Sequence, residues 1–224
     1  MANKLERIVK KHLIFCEGVD EKFFLIHYLN SKEMQDDPFF AEEIQVIDFG
    51  GNEELETKLK TLALSSGFTS VKSLLVIRDA ETDGNRAITQ IQTSLKNTGF
   101  PVPNGPGEWQ VEENVKQKIA FLLFPTCDES VKNGTLEDLC LSILKQPDGS
   151  DMLKEIQMFF LSLTEKYQRE FPHEHKAKLH TYFSITDKFV GMKIGEAAKA
   201  NAFDWNSEKL RFLKNFLLSM KDKI

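Results

Sequence analysis

"LLVIRDAETDGN" (residues 74–85) is an apolar run that stops abruptly at three acids on alternate positions, Asp79, Glu81 and Asp83. The run sits inside "VKSLLVIRDA" (71–80), which reads as a buried strand, and "NRAITQIQTSLKNTG" (85–99) after it reads as a helix. The same grammar appears twice upstream. "HLIFCEG" (12–18) is a short apolar run followed by "VDEKFFLIHYLNSK" (19–32), with apolar residues at 23, 24, 26, 28 and 29. "EIQVIDFGGN" (43–52) is stopped by Gly-Gly, and "EELETKLKTLALSS" (53–66) places Leu55, Leu59 and Leu62 at helical spacing. Strand and helix thus alternate three times, which predicts a parallel sheet with helices on its faces.

Downstream, "FPVPNGPGEW" (100–109) reads as a loop, "KIAFLLFPTC" (118–127) as a fourth strand, and "TLEDLCLSILKQ" (135–146) as a helix with Thr135 as N-cap and Asp138 at the capping-box position. After the turn "PDGSD", residues 152–171 form a long amphipathic helix, and the remainder reads as further helix with a loop around 184–194. The fold class is therefore α/β: a Rossmann-like parallel sheet flanked by helices, with a helical C-terminal elaboration. The expected division is an α/β domain over 1–150 and a helical extension over 151–224 packed on the same domain.

The bulk numbers narrow the function classes. A chain of 224 residues, 41% hydrophobic and 28% charged, can bury a substantial core, and most of its 18 Phe belong there. No apolar run approaches the ~18 residues that span a bilayer. The N-terminal "MANKLERIVKKHLIFCEG" is basic, but its apolar part is too short for a signal peptide. Cys16, Cys127 and Cys140 show no paired spacing, which points to a reducing cytoplasm and away from a disulfide framework or a zinc site. Net charge is −5, divided unevenly: residues 1–165 carry 17 basic against 27 acidic side chains, and residues 166–224 carry 12 against 7. An acidic part followed by a basic segment suits a metal-binding half with a flank that touches phosphates, although a solvated helix surface accounts for any single Lys equally well.

In open parallel sheets ligands bind at the carboxyl ends of the strands. Glu17 stands at the end of the first strand and the three acids of "DAETD" at the end of the third. Glu21 follows Glu17 by one helical turn and returns to the same side. If strands one and three are neighbours, their ends are ~5 Å apart, and up to five carboxylates share one crevice. Like charges so close raise one another's pKa, and a hard divalent cation such as Mg²⁺ is the usual way to keep them ionised. The plainer reading is that acids at strand ends are solvated and that Asp83 caps the next helix. The D-x-E-x-D pattern alone also fits haloacid-dehalogenase-type phosphatases and response-regulator receivers.

Glu17 in "IFCEGVDEKFFL", together with "VIRDAETD", resembles the Toprim domain shared by topoisomerases, bacterial primases and the OLD family of nucleases. More narrowly the chain is similar to the small bacterial Toprim-like proteins grouped as DUF3226, through "EGVDE", "DAETD", "GTLEDL" (134–139) and "IGEAA" (194–198). The resemblance implies a Toprim-like sheet with Glu17, Glu21, Asp79 and Glu81 nearest to Mg²⁺ or Mn²⁺, and Asp83 and Glu137 completing the set. Glu81 departs from the family's pattern, which has Asp there; its extra methylene matters where metal–oxygen distances are ~2.0–2.1 Å. Asp79 and Asp83 as a displaced pair is the other reading. A late Lys is also implied, with Lys176 and Lys178 as candidates and Lys193 behind them.

The implied chemistry is metal-dependent phosphodiester cleavage of nucleic acid, in which two ions ~4 Å apart clamp the scissile phosphate. Glu17, Asp79, Glu81 and one of those Lys would be the catalytic residues. The alternative is a degenerate module that binds metal or nucleotide beside a partner, for which an ATPase fits the relatives. A topoisomerase is disfavoured because Tyr28, Tyr167 and Tyr182 lack a winged-helix context. A phosphatase using Asp79 as nucleophile lacks its later motifs. His173, His175 and His180 read as polar helix surface rather than a transition-metal site.

Overall fold

A computed structural model describes residues 6–146 and 151–222. In chain order the elements are β1 (His12–Cys16), α1 (Val19–Leu29), α2 (Phe39–Glu42), β2 (Ile44–Asp48), α3 (Leu55–Ala63), β3 (Ser73–Asp79), α4 (Gly84–Asn97), β4 (Lys118–Phe124), α5 (Leu136–Ser142), α6 (Met152–Tyr167), α7 (Glu174–Ile185), α8 (Ile194–Lys199) and α9 (Arg211–Leu218). Among the described residues the sheet has four strands in the order β2-β1-β3-β4, all parallel. The chain steps from β1 outward to β2 and then from β3 outward to β4. The strand order therefore reverses between β1 and β3, and in open sheets the crevice at that reversal is where ligands bind.

Both seven-residue strands, β3 and β4, are buried along their whole length. Their side chains alternate between two apolar layers, as the pleat requires. On one face Leu13, Phe15, Leu74, Val76, Phe121 and Leu123 pack against Leu59 and Leu62 of α3 and Ile91 and Leu95 of α4. On the other, Ile14, Leu75, Ile77, Ala120 and Leu122 pack against Phe24, Leu25 and Tyr28 of α1 and against the C-terminal helices. Burying both faces is what permits an all-parallel sheet and gives its strands unbroken apolar sequences.

The C-terminal segment shares that second layer. Phe24 makes ring contacts with Phe203 (5.6 Å), Trp205 (5.2 Å) and Phe124 (6.3 Å). The Tyr182 hydroxyl donates to the Lys145 carbonyl at 2.9 Å, and the Trp109 indole donates to Ser219 Oγ at 2.8 Å while stacking on Phe216. Trp109 is thereby a packing residue. The turn at 147–150, where the expected domain division falls, lies outside the described residues.

Several boundaries differ from the sequence reading: the helices expected over 19–32 and 53–66 are Val19–Leu29 and Leu55–Ala63, and the strand expected over 118–127 ends at Phe124. The helix expected over 135–146 ends at Ser142, because the next residues pair with 202–204: Asp204 N–H donates to the Ile143 carbonyl (2.7 Å) and Lys145 N–H to that of Ala202 (2.9 Å). The helix expected over 152–171 ends at Tyr167, where Gln168 turns left-handed with φ 48°. No helix among the described residues is long and apolar enough to cross a membrane.

Candidate functional site

β1 and β3 run side by side until Cys16 pairs with Ile77, so the next residues of both strands emerge together at the crevice. There Glu17 Oε2 accepts the Asp79 N–H at 3.4 Å and stands 3.7 Å from Arg78 Nε. Asp79, 8% exposed, turns its side chain to the layer of α1 and α5, and its Oδ1 accepts the Leu136 N–H at 2.9 Å. Glu21 comes back over the chain from the first turn of α1. Gly18 makes room for it: a Cβ there would lie 2.8 Å from Glu21 Oε2. Glu137 enters from the first turn of α5, 6% exposed, with Lys176 Nζ of α7 at 3.2 Å. Four elements, the ends of β1 and β3 and the first turns of α1 and α5, thus deliver Glu17, Glu21, Asp79 and Glu137 to one crevice.

The acidities follow from that crowding. Burial, and then the charges of Glu21, Glu17 and Glu137, push the Asp79 carboxyl up to about 9, against the pull of the Leu136 N–H. Burial also lifts Glu21 to about 7, helped by Glu17, Glu137 and Asp20. Glu17 is raised by burial while Arg78 and the Asp79 N–H hold it back. Glu137 is the exception. Burial works against its charge, yet the Thr135 hydroxyl, its own N–H and Lys176 together keep it below the usual carboxylate range. Lys176 is raised in turn, chiefly by Glu137.

Of the remaining candidates, Glu81 is near enough for its charge to help raise Glu17, and the others lie elsewhere. Glu81 is exposed, has φ 55°, and pairs its backbone in both directions with Gly134. Its side chain lines a cavity of about 200 Å³ with Arg78, Arg86, Asn52 and Gln90, on the α4 side of Glu17. Asp83 caps α4 by accepting the Arg86 N–H at 3.1 Å. Lys178 is paired with Glu174 and hydrogen-bonded to Gln157, and Lys193 precedes α8 with its N–H on Glu196 Oε2 at 2.8 Å. Of the three lysines, Lys176 is the one the structure brings to the carboxylates.

Two charged neighbours escaped the sequence reading. Arg78 is 1% exposed, and its signal was visible as an Arg interrupting an apolar run. Asp20 adds its field to Glu21 and Lys176.

As a donor set, four carboxylates suit a hard divalent cation, because each proton that crowding forces onto them is one that a cation would replace. Among the described residues, however, no three His, Cys, Asp or Glu side chains converge closely enough to hold an ion as they stand. The hydrogen bonds explain part of this, since Glu17 and Asp79 each have one oxygen on a backbone N–H.

Comparison with known proteins adds the following. The family model described as "Protein of unknown function (DUF3226)" matches residues 11–221. No curated protein matches the sequence. Two solved structures of the C-terminal region of the Xanthomonas campestris pv. campestris OLD protein, phased with mercury and with iodine, align with TM-scores of 0.43 and 0.41. Each is 12% identical, over 94% of this chain and 96% of the other. A likeness that low carries no argument about activity.

Proposed function

The chain belongs to the DUF3226 family, and from its carboxylate cluster we propose that it is a Toprim-type, Mg²⁺- or Mn²⁺-dependent phosphodiesterase acting on nucleic acid in the cytoplasm. The observation that carries this reading is the gathering of Glu17, Glu21, Asp79 and Glu137 at the β1–β3 crevice, where burial and mutual charge weaken Asp79 and Glu21 as acids. Buried carboxylates that must take up protons are costly unless a cation compensates them.

In this reading Glu17, Glu21, Asp79 and Glu137 hold the cation, and Glu81, whose charge acts on Glu17, completes the set. Asp83 serves the helix cap. A bound cation would polarise the phosphoryl oxygen and lower the pKa of an attacking water. The chain's own part is to orient the phosphate: Gly18 keeps Glu21 folded back, the Leu136 N–H fixes Asp79, and Lys176 steadies negative charge that develops on the phosphoryl oxygens. Residues 151–224 act in this reading as an extension of the α/β domain, since they bring Lys176 to the cluster.

A second reading has one observation on its side. Glu17 and Asp79 already have oxygens on backbone N–H groups, and among the described residues no three acids converge closely enough to hold an ion. A non-catalytic module that binds metal or nucleotide beside a partner such as an ATPase would need no more.

Cleavage of plasmid and single-stranded DNA or RNA with Mn²⁺ decides between the two. The wild type is expected to cut, Lys176→Met to lose about 100-fold in rate, and Lys178→Met to stay within about threefold. Equal loss in both lysine variants would remove the role given to Lys176. Absence of cleavage with Mn²⁺ binding intact would favour the module.

A further inference from the structure

Arg78 is a full positive charge at the end of a buried strand, with its side chain 2% exposed. It lies on the opposite side of the pleat from Asp79 and reaches into the α4 layer, where its Nη1 donates to Gln90 Oε1 at 3.1 Å. Its Nε is buried without a hydrogen-bond partner. Glu17 Oε2 stands 3.7 Å from it, too far to close a hydrogen bond. That same oxygen takes the Asp79 N–H at a long 3.4 Å. One carboxylate oxygen is thus shared between two weak contacts. An ion pair left open in the interior contributes little to stability, and an apolar side chain would serve packing better.

We propose that Arg78 is a positioning residue that draws Glu17 toward the α4 side of the crevice, so that it fixes where Glu17 stands and weakens cation binding at the cluster. This rests on the cation reading given above. Gln90 sets the balance. By holding Nη1 it keeps the guanidinium from closing on Glu17, which leaves that carboxylate free to turn toward an arriving cation. A residue that served only packing would have no reason to affect affinity and rate in opposite directions.

The test is Mn²⁺ titration by calorimetry without nucleic acid, paired with the cleavage assay and with a circular-dichroism melt of each variant. Arg78→Gln is expected to bind Mn²⁺ about tenfold more tightly, because a repelling charge is gone, and to cleave more slowly, because Glu17 is no longer placed. Arg78→Lys retains the charge and should restore wild-type affinity. Gln90→Met frees the guanidinium to close on Glu17 and should weaken Mn²⁺ binding. A folded Arg78→Gln variant with unchanged or weaker Mn²⁺ binding overturns the proposal. If Arg78→Gln does not fold, Gln90→Met decides: unchanged or tighter binding overturns it, and weaker binding supports it. Failure of the wild type to bind Mn²⁺ overturns the cation reading itself, whereas binding by wild type without tightening in Arg78→Gln removes only the role of Arg78.

Discussion

Asp79→Asn should raise the melting temperature of the metal-free protein at about pH 8, by about 5 °C or more. Substitution of a buried, hydrogen-bonded side chain ordinarily destabilises, so the sign is the informative part. The carboxyl of Asp79 is 8% exposed and faces Glu21, Glu17 and Glu137. Folding therefore requires either that this group stay protonated, where the unfolded chain would have released the proton, or that a charge enter a crowded acidic pocket. The amide removes that cost. Its carbonyl oxygen can still accept the Leu136 N–H that Asp79 Oδ1 now accepts at 2.9 Å. A stabilising substitution that also ends any response to Mn²⁺ is what a site held ready for a cation predicts. Scanning calorimetry with a chelator present measures the first half. A fall in melting temperature would mean that the carboxylate is stabilising as it stands, and that no cation is needed to explain it.

The second large effect is the pH dependence of stability in the absence of metal. Asp79 titrates at about 9 when folded, against an ordinary value of 3.8, and Glu21 at about 7 against 4.5. Between those limits the folded protein holds protons that the unfolded chain has lost. Their contribution is complete below the unfolded values and is lost as pH rises through the folded ones, at up to about 1.4 kcal/mol per pH unit for each proton. Groups with lowered pKa oppose them on the acid side, the buried His12 and Glu137 among them. Burial, with Lys72 next, lowers His12 to about 4, so acid must force a proton onto a buried ring. Glu137 is held below its usual range and loses its stabilising charge only in stronger acid. The metal-free melting temperature should therefore fall from about pH 5 to about pH 9, and saturating Mn²⁺ should flatten the decline. A melting temperature that is level or rises across that range would contradict the electrostatics of the cluster.

Much of this was legible in the sequence because both-face burial leaves an unmistakable mark. "LLVI" and "KIAFLLF" announce strands with no solvent side, and Gly-Gly and the acids announce where they stop. The neighbourhood of β1 and β3 entered as a condition, and the register of Cys16 against Ile77 satisfies it. The choice among Lys176, Lys178 and Lys193 had no local signal, because it depends on how α7 lies against α5. The left-handed backbone of Glu81 was equally hidden, since it comes from pairing with Gly134, more than fifty residues away. The early end of α5 is another tertiary effect, imposed by residues 202–204. Arg78 was in plain view in "VIRDA", but a charge at the end of an apolar run reads first as the strand's exit to solvent, and the structure places it inside.

The most direct test of the cation site is Mn²⁺ titration of the wild type by calorimetry in two buffers of different ionisation enthalpy, near pH 7.5, about where Asp79 would still be protonated. Saturable binding that releases about one proton per protein is the predicted result, since a carboxyl titrating at about 9 must give up its proton to ligate a metal. Absence of saturable binding, or binding without proton release, would contradict a cation site built around Asp79.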